Sequence, residues 1–495
     1  MDNHLNFEVT KPEIVIVGGG ISGLLLALKI SKDPKKLANG IVLIEKQPQL
    51  GGRFFFSSSA NFSGKNYEEI TNELFENSSK KINLSGPGFE SMPSVTLEAL
   101  FRHFESHLSE EEKNEFEEFF KNENENSNTN THKSYFIKKE FVSDRELFSG
   151  SSEILTKKES EIFRSFVEDF YQEKNNKENN NSVLNENIIF EKSQQWTELS
   201  KATKETLSPI FTAIVGPNWE KSLFLNVCKS LWSFFHLQKK EIPGYFYRGM
   251  CLEFGIAKIL KKRGVVIRTL CEVIRVNHTK ESLFQLILSD EVMPLNNSIH
   301  CKKLIFAIPL TKCLGLIAKE HFTPSQSRFV SKVRPVSLVV SEISHFHSIK
   351  SENWPENVSS GDQFLFPVER AQCFLTQDGR MLFSTKLDYE ESLQAPAVRE
   401  AVSRLRRAAA RVLKSEYAEE LKKGARIPQN KISERIVLLP VAYTIPSDMP
   451  SNIEVKETKM GIDGLYCCGD SFPGFAEEPW KMVVNSVYDV AMQLS

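Results

Sequence analysis

A β-branched run, Ile14-Val15-Ile16-Val17, breaks into Gly18-Gly19-Gly20 and resumes after Ile21-Ser22-Gly23 as Leu24-Leu25-Leu26-Ala27-Leu28-Lys29-Ile30. A strand that enters a glycine turn and leaves it as an apolar helix is half of a βαβ unit. The second strand, Ile41-Val42-Leu43-Ile44, ends on Glu45-Lys46, and Gly51-Gly52-Arg53 follows. In this pattern Gly18 permits the tight turn, Gly20 admits a pyrophosphate against the backbone, and Gly23 lets helix and strand touch. Ser22 lies in the first helical turn, where free N–H groups and the positive end of the dipole face the phosphates. Glu45 is placed to accept hydrogen bonds from a ribose diol. An acid there disfavours a 2′-phosphate, which points to FAD or NAD rather than NADP. Alone, the glycines could be a flexible turn. With the strand, the helix and the terminal acid they read as a dinucleotide site.

At 495 residues the chain is long enough for two or more domains. A net charge of −2, from 62 basic and 64 acidic residues, gives no basic surplus for nucleic acid or a polybasic membrane anchor. No stretch reaches the roughly 18 apolar residues of a membrane span, and no signal segment opens the chain, so a cytoplasmic protein is expected. The 8 cysteines form no C-x-x-C pair and read as reduced thiols. His345 and His347 share one strand face, but nothing nearby completes a metal set, so no metal is expected. The 36 phenylalanines are an unusual store of apolar bulk, for a core first and for an apolar pocket second.

Residues 13–58 form the first βαβ unit, and 60–240 read as mainly helical. That stretch is interrupted by two Asn-rich insertions, starting at Lys121 and Lys174, that cannot bury enough apolar surface to order themselves. From Gly244 the pattern turns to strands. A helix, Leu252–Arg263, stops at Gly264, and 265–268 and 273–276 then read as strands. Lys303–Pro309 is a buried strand. Strands follow at 336–343, 363–368, 371–375 and 381–386, the last two flanking a hairpin turn, Gln377-Asp378-Gly379-Arg380. Arg404–Ala418 reads as a basic amphipathic helix with a solvated face. The chain closes with a strand into Gly469-Asp470 and a helix over 479–494.

Four of these blocks together resemble the flavoprotein group of amine oxidases, protoporphyrinogen oxidases and phytoene-type desaturases. They are Val15–Arg53; Arg248–Val276, with Gly249-Met250 before a helix; Leu304–Leu310, similar to the family's Ile-x-Ala-x-Pro strand; and Gly464–Ala491. The resemblance implies that Val273 meets the adenine through its backbone and that Gly469 and Asp470 hold the ribityl and pyrophosphate part of FAD. It also implies that the last helix, with Met482 and Val483, approaches the isoalloxazine ring. Arg53, after two glycines, can neutralise pyrophosphate charge. Gly86, Pro87, Phe89, Tyr443 and Phe472 match regions beside the flavin and are pocket candidates, with turns and core aromatics as the plainer reading.

The chain also departs from that family. Its last helix reads Met482-Val483, Ser486-Val487 and Val490-Ala491 where the family places small residues, so bulk at 482 and 487 threatens to crowd the ring. Val340 stands where amine oxidases commonly place a lysine near flavin N5. Cys467 and Cys468 read as packed rather than covalently linked to flavin.

The expectation is an α/β fold, a Rossmann-type FAD-binding domain (1–58, 240–325, 430–495) interleaved with an α+β substrate domain of mixed sheet plus helices (59–239, 326–429). The expected function is an FAD-dependent oxidoreductase with non-covalent FAD. It removes a hydride from a small, apolar or aromatic substrate and passes electrons to O₂ or another acceptor. No catalytic residue is assigned. A non-catalytic binding protein like the Rab GDP-dissociation inhibitors, and an FAD monooxygenase, are the alternatives.

Overall fold

The computed structural model describes residues 11–47, 50–52, 102–117, 133–137, 139–143, 146–147, 155–165, 188–224, 226–228, 230–231, 255–279, 283–290, 298–344, 349–352, 354, 358, 362–375, 380–422, 434–446, 457–471 and 479–494. Its first sheet is five parallel strands: β1 (Ile14–Val17), β2 (Ile41–Ile44), β5 (Val266–Arg268), β9 (Lys303–Phe306) and β15 (Leu465–Cys467). They lie in the order β15-β9-β1-β2-β5. Every residue of β1 and β2 is buried, as expected for inner strands of a parallel sheet covered on both faces. Helix α1 (Ile21–Ile30) covers one face, and Leu24, Leu25, Leu26 and Leu28 have no exposed surface. Burial of that order contributes about 1.5–3 kcal/mol per side chain.

A three-stranded antiparallel sheet, β6 (Cys271–His278), β7 (Phe284–Asp290) and β8 (Ser298–Cys301), covers the other face through Val273, Leu286 and Ile299. The strands expected at 265–268 and 273–276 exist, but they belong to different sheets. Leu270, between them, takes a left-handed φ of 53°, and there the chain leaves the parallel sheet. Strands β7 and β8 were not anticipated.

The third sheet has seven strands in the order β14-β10-β13-β12-β11-β3-β4. They are β3 (Lys133–Ile137), β4 (Glu140–Ser143), β10 (Val333–Ile343), β11 (Gln363–Phe366), β12 (Ala371–Leu375), β13 (Met381–Asp388) and β14 (Glu434–Pro446). All pairs are antiparallel except β11–β3. The hairpin β3–β4 lies within 60–240, the stretch expected to be mainly helical, and was not among the expected elements. Its turn has no glycine, and Lys139 adopts the left-handed φ of 73° instead. The turn expected at 377–379 lies outside the described residues, although β12 and β13 pair around it.

Further helices include α2 (Glu110–Glu117), α3 (Lys201–Ile214), α4 (Ile256–Arg263), α5 (Ala395–Ala410), α6 (Ser415–Lys422) and α7 (Pro479–Gln493). The basic helix expected over 404–418 starts earlier, with Pro396 in its first turn, and is broken before α6. At the break, Lys414 N–H donates to Ile349 O at 2.9 Å. Among the described residues the phenylalanines serve largely as core: Phe190, Phe211, Trp196 and Trp219 form one aromatic cluster with α3. Cys228, Cys271, Cys301, Cys313, Cys373, Cys467 and Cys468 are buried, and none forms a disulfide among the described residues. No helix among the described residues is long and apolar enough to cross a membrane.

Two segments sit across the boundaries expected from sequence. Residues 434–446, grouped there with the dinucleotide unit, are the edge strand β14 along β10 in the seven-stranded sheet. Phe104 and Leu108, grouped with the substrate unit, belong to the apolar core around α1. Arg263 links the same region to α4. It donates to Leu28 O and His107 O, each at 2.8 Å, and is bound at both carboxylate oxygens of Glu112.

Candidate dinucleotide site

The glycine turn joins β1 to α1 through contacts that leave no room for a side chain. Gly18 has a φ of +110°, and its N–H donates to Ile44 O at 2.8 Å. An added Cβ would lie 2.6 Å from Ala307 O on the neighbouring strand's exit. At Gly23 it would lie 1.9 Å from Gly18 O, so only glycine lets the helix rest on the turn. Gly20 differs, because among the described residues a Cβ there would meet only Gly52 Cα, at 3.9 Å. Its backbone bridges to Gly51, whose N–H donates to Gly19 O at 2.7 Å. Helix α1 begins at Gly20 with no capping side chain and no acid in its first turn. Its leading N–H groups therefore lack intrahelical partners and present the positive end of the dipole.

Glu45 is buried at the end of β2, and its oxygens are already in use. Oε2 accepts Gly19 N–H and Oε1 accepts Gln47 N–H, both at 2.8 Å. Burial pushes its carboxyl above the usual range, against the lowering effect of those two N–H donors. Each oxygen keeps a second lone pair, so an incoming hydroxyl would find an acceptor that is already oriented. The role of Gly19 was not anticipated; a Cβ there would lie 2.5 Å from Leu50 Cδ2. Its signal was the unbroken run of three glycines. Lys46 is exposed. Val273 is buried on β6, close in sequence to Cys271, whose N–H donates to Glu45 O at 3.0 Å.

The C-terminal block comes to the same turn. Gly469 has a φ of +138°, and a Cβ built on it would stand 3.6 Å from Ser22 Oγ. Its N–H donates to Ser486 Oγ at 2.9 Å, which couples α7 to the loop after β15 and sets half-buried Asp470 beside α1. Met482 is half-buried and Val483 buried. Val487 is fully buried in the core that contains Leu24 and Leu28, so its bulk is used in packing α7 on α1. Cys467 and Cys468 are packed, and burial pushes the Cys468 thiol up to about 12.

The structure thus brings together Gly18, Gly20, Ser22, Gly23, Glu45, Gly51, Gly52, Gly469 and Asp470 around one end of the parallel sheet. Arg53, Gly86, Pro87, Phe89 and Phe472 lie outside the described residues. Tyr443 is placed only by its backbone, opposite Val336 on β14. Among the described residues no group of His, Cys, Asp or Glu could hold a metal ion.

These elements and this cradle define a Rossmann-type unit beside a mixed-sheet unit. Residues 16–69 match the family model of the NAD(P)-binding Rossmann-like domain. Nearly the whole chain has the fold of known oxidoreductases. It is similar to putrescine oxidase bound to putrescine (12% identity, TM-score 0.58, covering 98% of this chain and 99% of that one). It is also similar to cyclohexylamine oxidase from Brevibacterium oxydans (12%, 0.56, 98% and 99%). An oxidoreductase from Methanosarcina mazei is a further relative in fold (14%, 0.56, 97% and 100%). No curated protein matches the sequence.

Proposed function

We propose that this chain is an FAD-dependent oxidoreductase of the oxidase or desaturase type, acting on a small apolar or aromatic molecule. The observation that carries the reading is the cradle at Gly20. It combines an uncapped helix start, a glycine backbone that no described side chain covers, and a buried carboxyl group held by Gly19 N–H. A fold that needed only a tight turn would need Gly18 and Gly23 but not a bare Gly20. The residues present therefore fit a dinucleotide pyrophosphate.

In this reading Gly20, Ser22, Gly51 and Gly52 give the pyrophosphate a close backbone surface, and Arg53 balances its charge. Glu45 accepts from the ribose hydroxyls, Val273 flanks the adenine, and Gly469 and Asp470 hold the ribityl chain. Bound FAD supplies the ring that accepts a hydride from the substrate and returns electrons to O₂ or another acceptor. Met482 and Val483 on α7 shape the space beside that ring. The chain is divided into a dinucleotide unit and a substrate unit as the sequence suggests, with β14 assigned to the substrate unit.

Gly20→Leu tests the reading. Gly20 has an ordinary φ of −74°, and a Cβ there clashes with no described residue, so the variant should fold like the wild type while its side chain fills the cradle. Its flavin content after purification should fall at least tenfold, with the far-ultraviolet circular dichroism unchanged. Full flavin occupancy in the variant would count against the cradle.

A further inference from the structure

Strand β14 is one edge of the seven-stranded sheet: it pairs with β10, and no described strand meets its outer side. Its second half is poorly made for further pairing. Between Leu439 and Tyr443 it takes four residue steps where β10 takes two, and Pro440 in that bulge has no N–H to donate. Residues 434–439, before the bulge, keep a regular register with β10. They present about 20 Å of edge on which alternate N–H and C=O groups point outward. A regular, largely apolar edge of this kind is a template for another strand.

A groove runs beside that edge. Ile436 stands opposite Ser341 and Leu438 opposite Val339, so both lie on the sheet face that α5 covers. Leu438 packs there with Val398 and Val402, whereas Ile436 is 37% exposed. Along α5 a groove of about 480 Å³ is lined by Val398, Arg399, Val402, Ser403, Arg406 and Arg407. Arg406 reaches Glu434 at 2.8 Å, which ties the groove to the start of β14. Glu400 holds Arg407 at 2.8 Å, while exposed Arg399 makes no ion pair among the described residues. Arg435, on the other face of the strand by alternation, is exposed as well.

We propose that residues 434–439 and this groove form a docking surface for an extended segment of a partner protein, apolar at its centre and acidic at both ends. The segment adds to β14 as a further strand. Main-chain hydrogen bonds to the outward N–H and C=O groups supply affinity, and alternate side chains set on Ile436, Val398 and Val402 supply selection. Carboxylates that flank this centre meet Arg399 on one face and the field of Arg435 on the other. A second copy of this chain fits less well. An antiparallel pair of β14 edges would bring both α5 helices to one face of a continuous sheet and set Arg399 against its own counterpart. The surface is separate from the dinucleotide cradle, and the inference stands without the oxidoreductase reading.

The test is fluorescence anisotropy of the full-length protein with the labelled peptide Glu-Glu-Val-Ile-Val-Glu-Glu. One control peptide carries lysine in place of every glutamate. A second is N-methylated at its three central residues, which keeps the side chains and removes their N–H donors. The first peptide should bind about tenfold more tightly than either control, and more weakly as salt is raised. Arg399→Glu, at an exposed position, should leave the fold alone and weaken that binding about tenfold. No binding, equal affinity for either control, or unchanged affinity in Arg399→Glu would overturn the inference. Sedimentation velocity of the protein alone tests the rival occupant. A monomer supports the inference, whereas a dimer that Ile436→Glu dissociates gives the edge to a second copy and overturns it.

Discussion

Gly20 and Gly23 respond differently to an added methyl group. At Gly23 the new Cβ collides with Gly18 O, a backbone atom that cannot swing aside. Gly23→Ala should therefore cost about 2–3 kcal/mol, read as a lowered melting temperature even without cofactor. Substitution at Gly20 should leave folding alone and affect retention of the cofactor. Glu45 makes a third residue-scale case. Its carboxyl is raised by burial, so at pH between the ordinary and the raised value the folded state binds more proton than the unfolded chain. Stability conferred at this site is present below the ordinary carboxylate value and declines as pH rises through the raised folded value. Glu45→Gln should flatten that decline. It should also cost about 1–3 kcal/mol, because an amide cannot accept from both Gly19 and Gln47. Urea unfolding across mildly acidic to neutral pH reads both effects. Glu45 was legible as a ribose acceptor, but its second duty, holding the turn through Gly19, depends on a contact that spacing does not reveal.

Helices α1, α2 and α4 meet at the side chain of Arg263. Burial works to raise the Glu112 carboxyl, but hydrogen bonds from Arg263 and Ser109 outweigh it and hold it down to about 2. A depressed acid stabilises the fold above its unfolded value and loses that effect as pH falls toward the folded one. Glu112→Gln should cost about 1–2 kcal/mol at neutral pH. The gap from wild type should stay level down to about pH 4.5 and close toward about pH 2. Chemical denaturation over that range checks it, and a gap that is absent at neutral pH would contradict it. Element types were legible where the apolar period was strong and a stop was marked, as in α4, which ends on Gly264 at a φ of +96°. They were not legible in β3–β4, because Lys139 makes a left-handed turn without glycine or asparagine. Nor were they at Leu270, where one backbone angle sends the next strand to another sheet.

At the scale of the molecule, the parallel and the seven-stranded sheet are built by a chain that passes repeatedly between them. β15 and α7 complete the parallel unit from the C-terminal end, while β14, just before them, closes the edge of the mixed sheet. The overall plan was readable because its ends carry the marked glycines, Gly18-Gly19-Gly20 and Gly469. The pairing of β14 was hidden, since a strand's sequence does not say which sheet edge it will meet. The two bulky positions expected to crowd the ring differ once packed: Val487 is in the core under α1, and Met482 is half-buried. The central claim is that this architecture holds FAD without a covalent bond. The most direct measurement is the visible absorption spectrum of the purified protein, before and after denaturation and removal of the precipitate. The account predicts a two-banded yellow spectrum whose colour leaves with the supernatant. A protein that stays colourless after incubation with added FAD would contradict it.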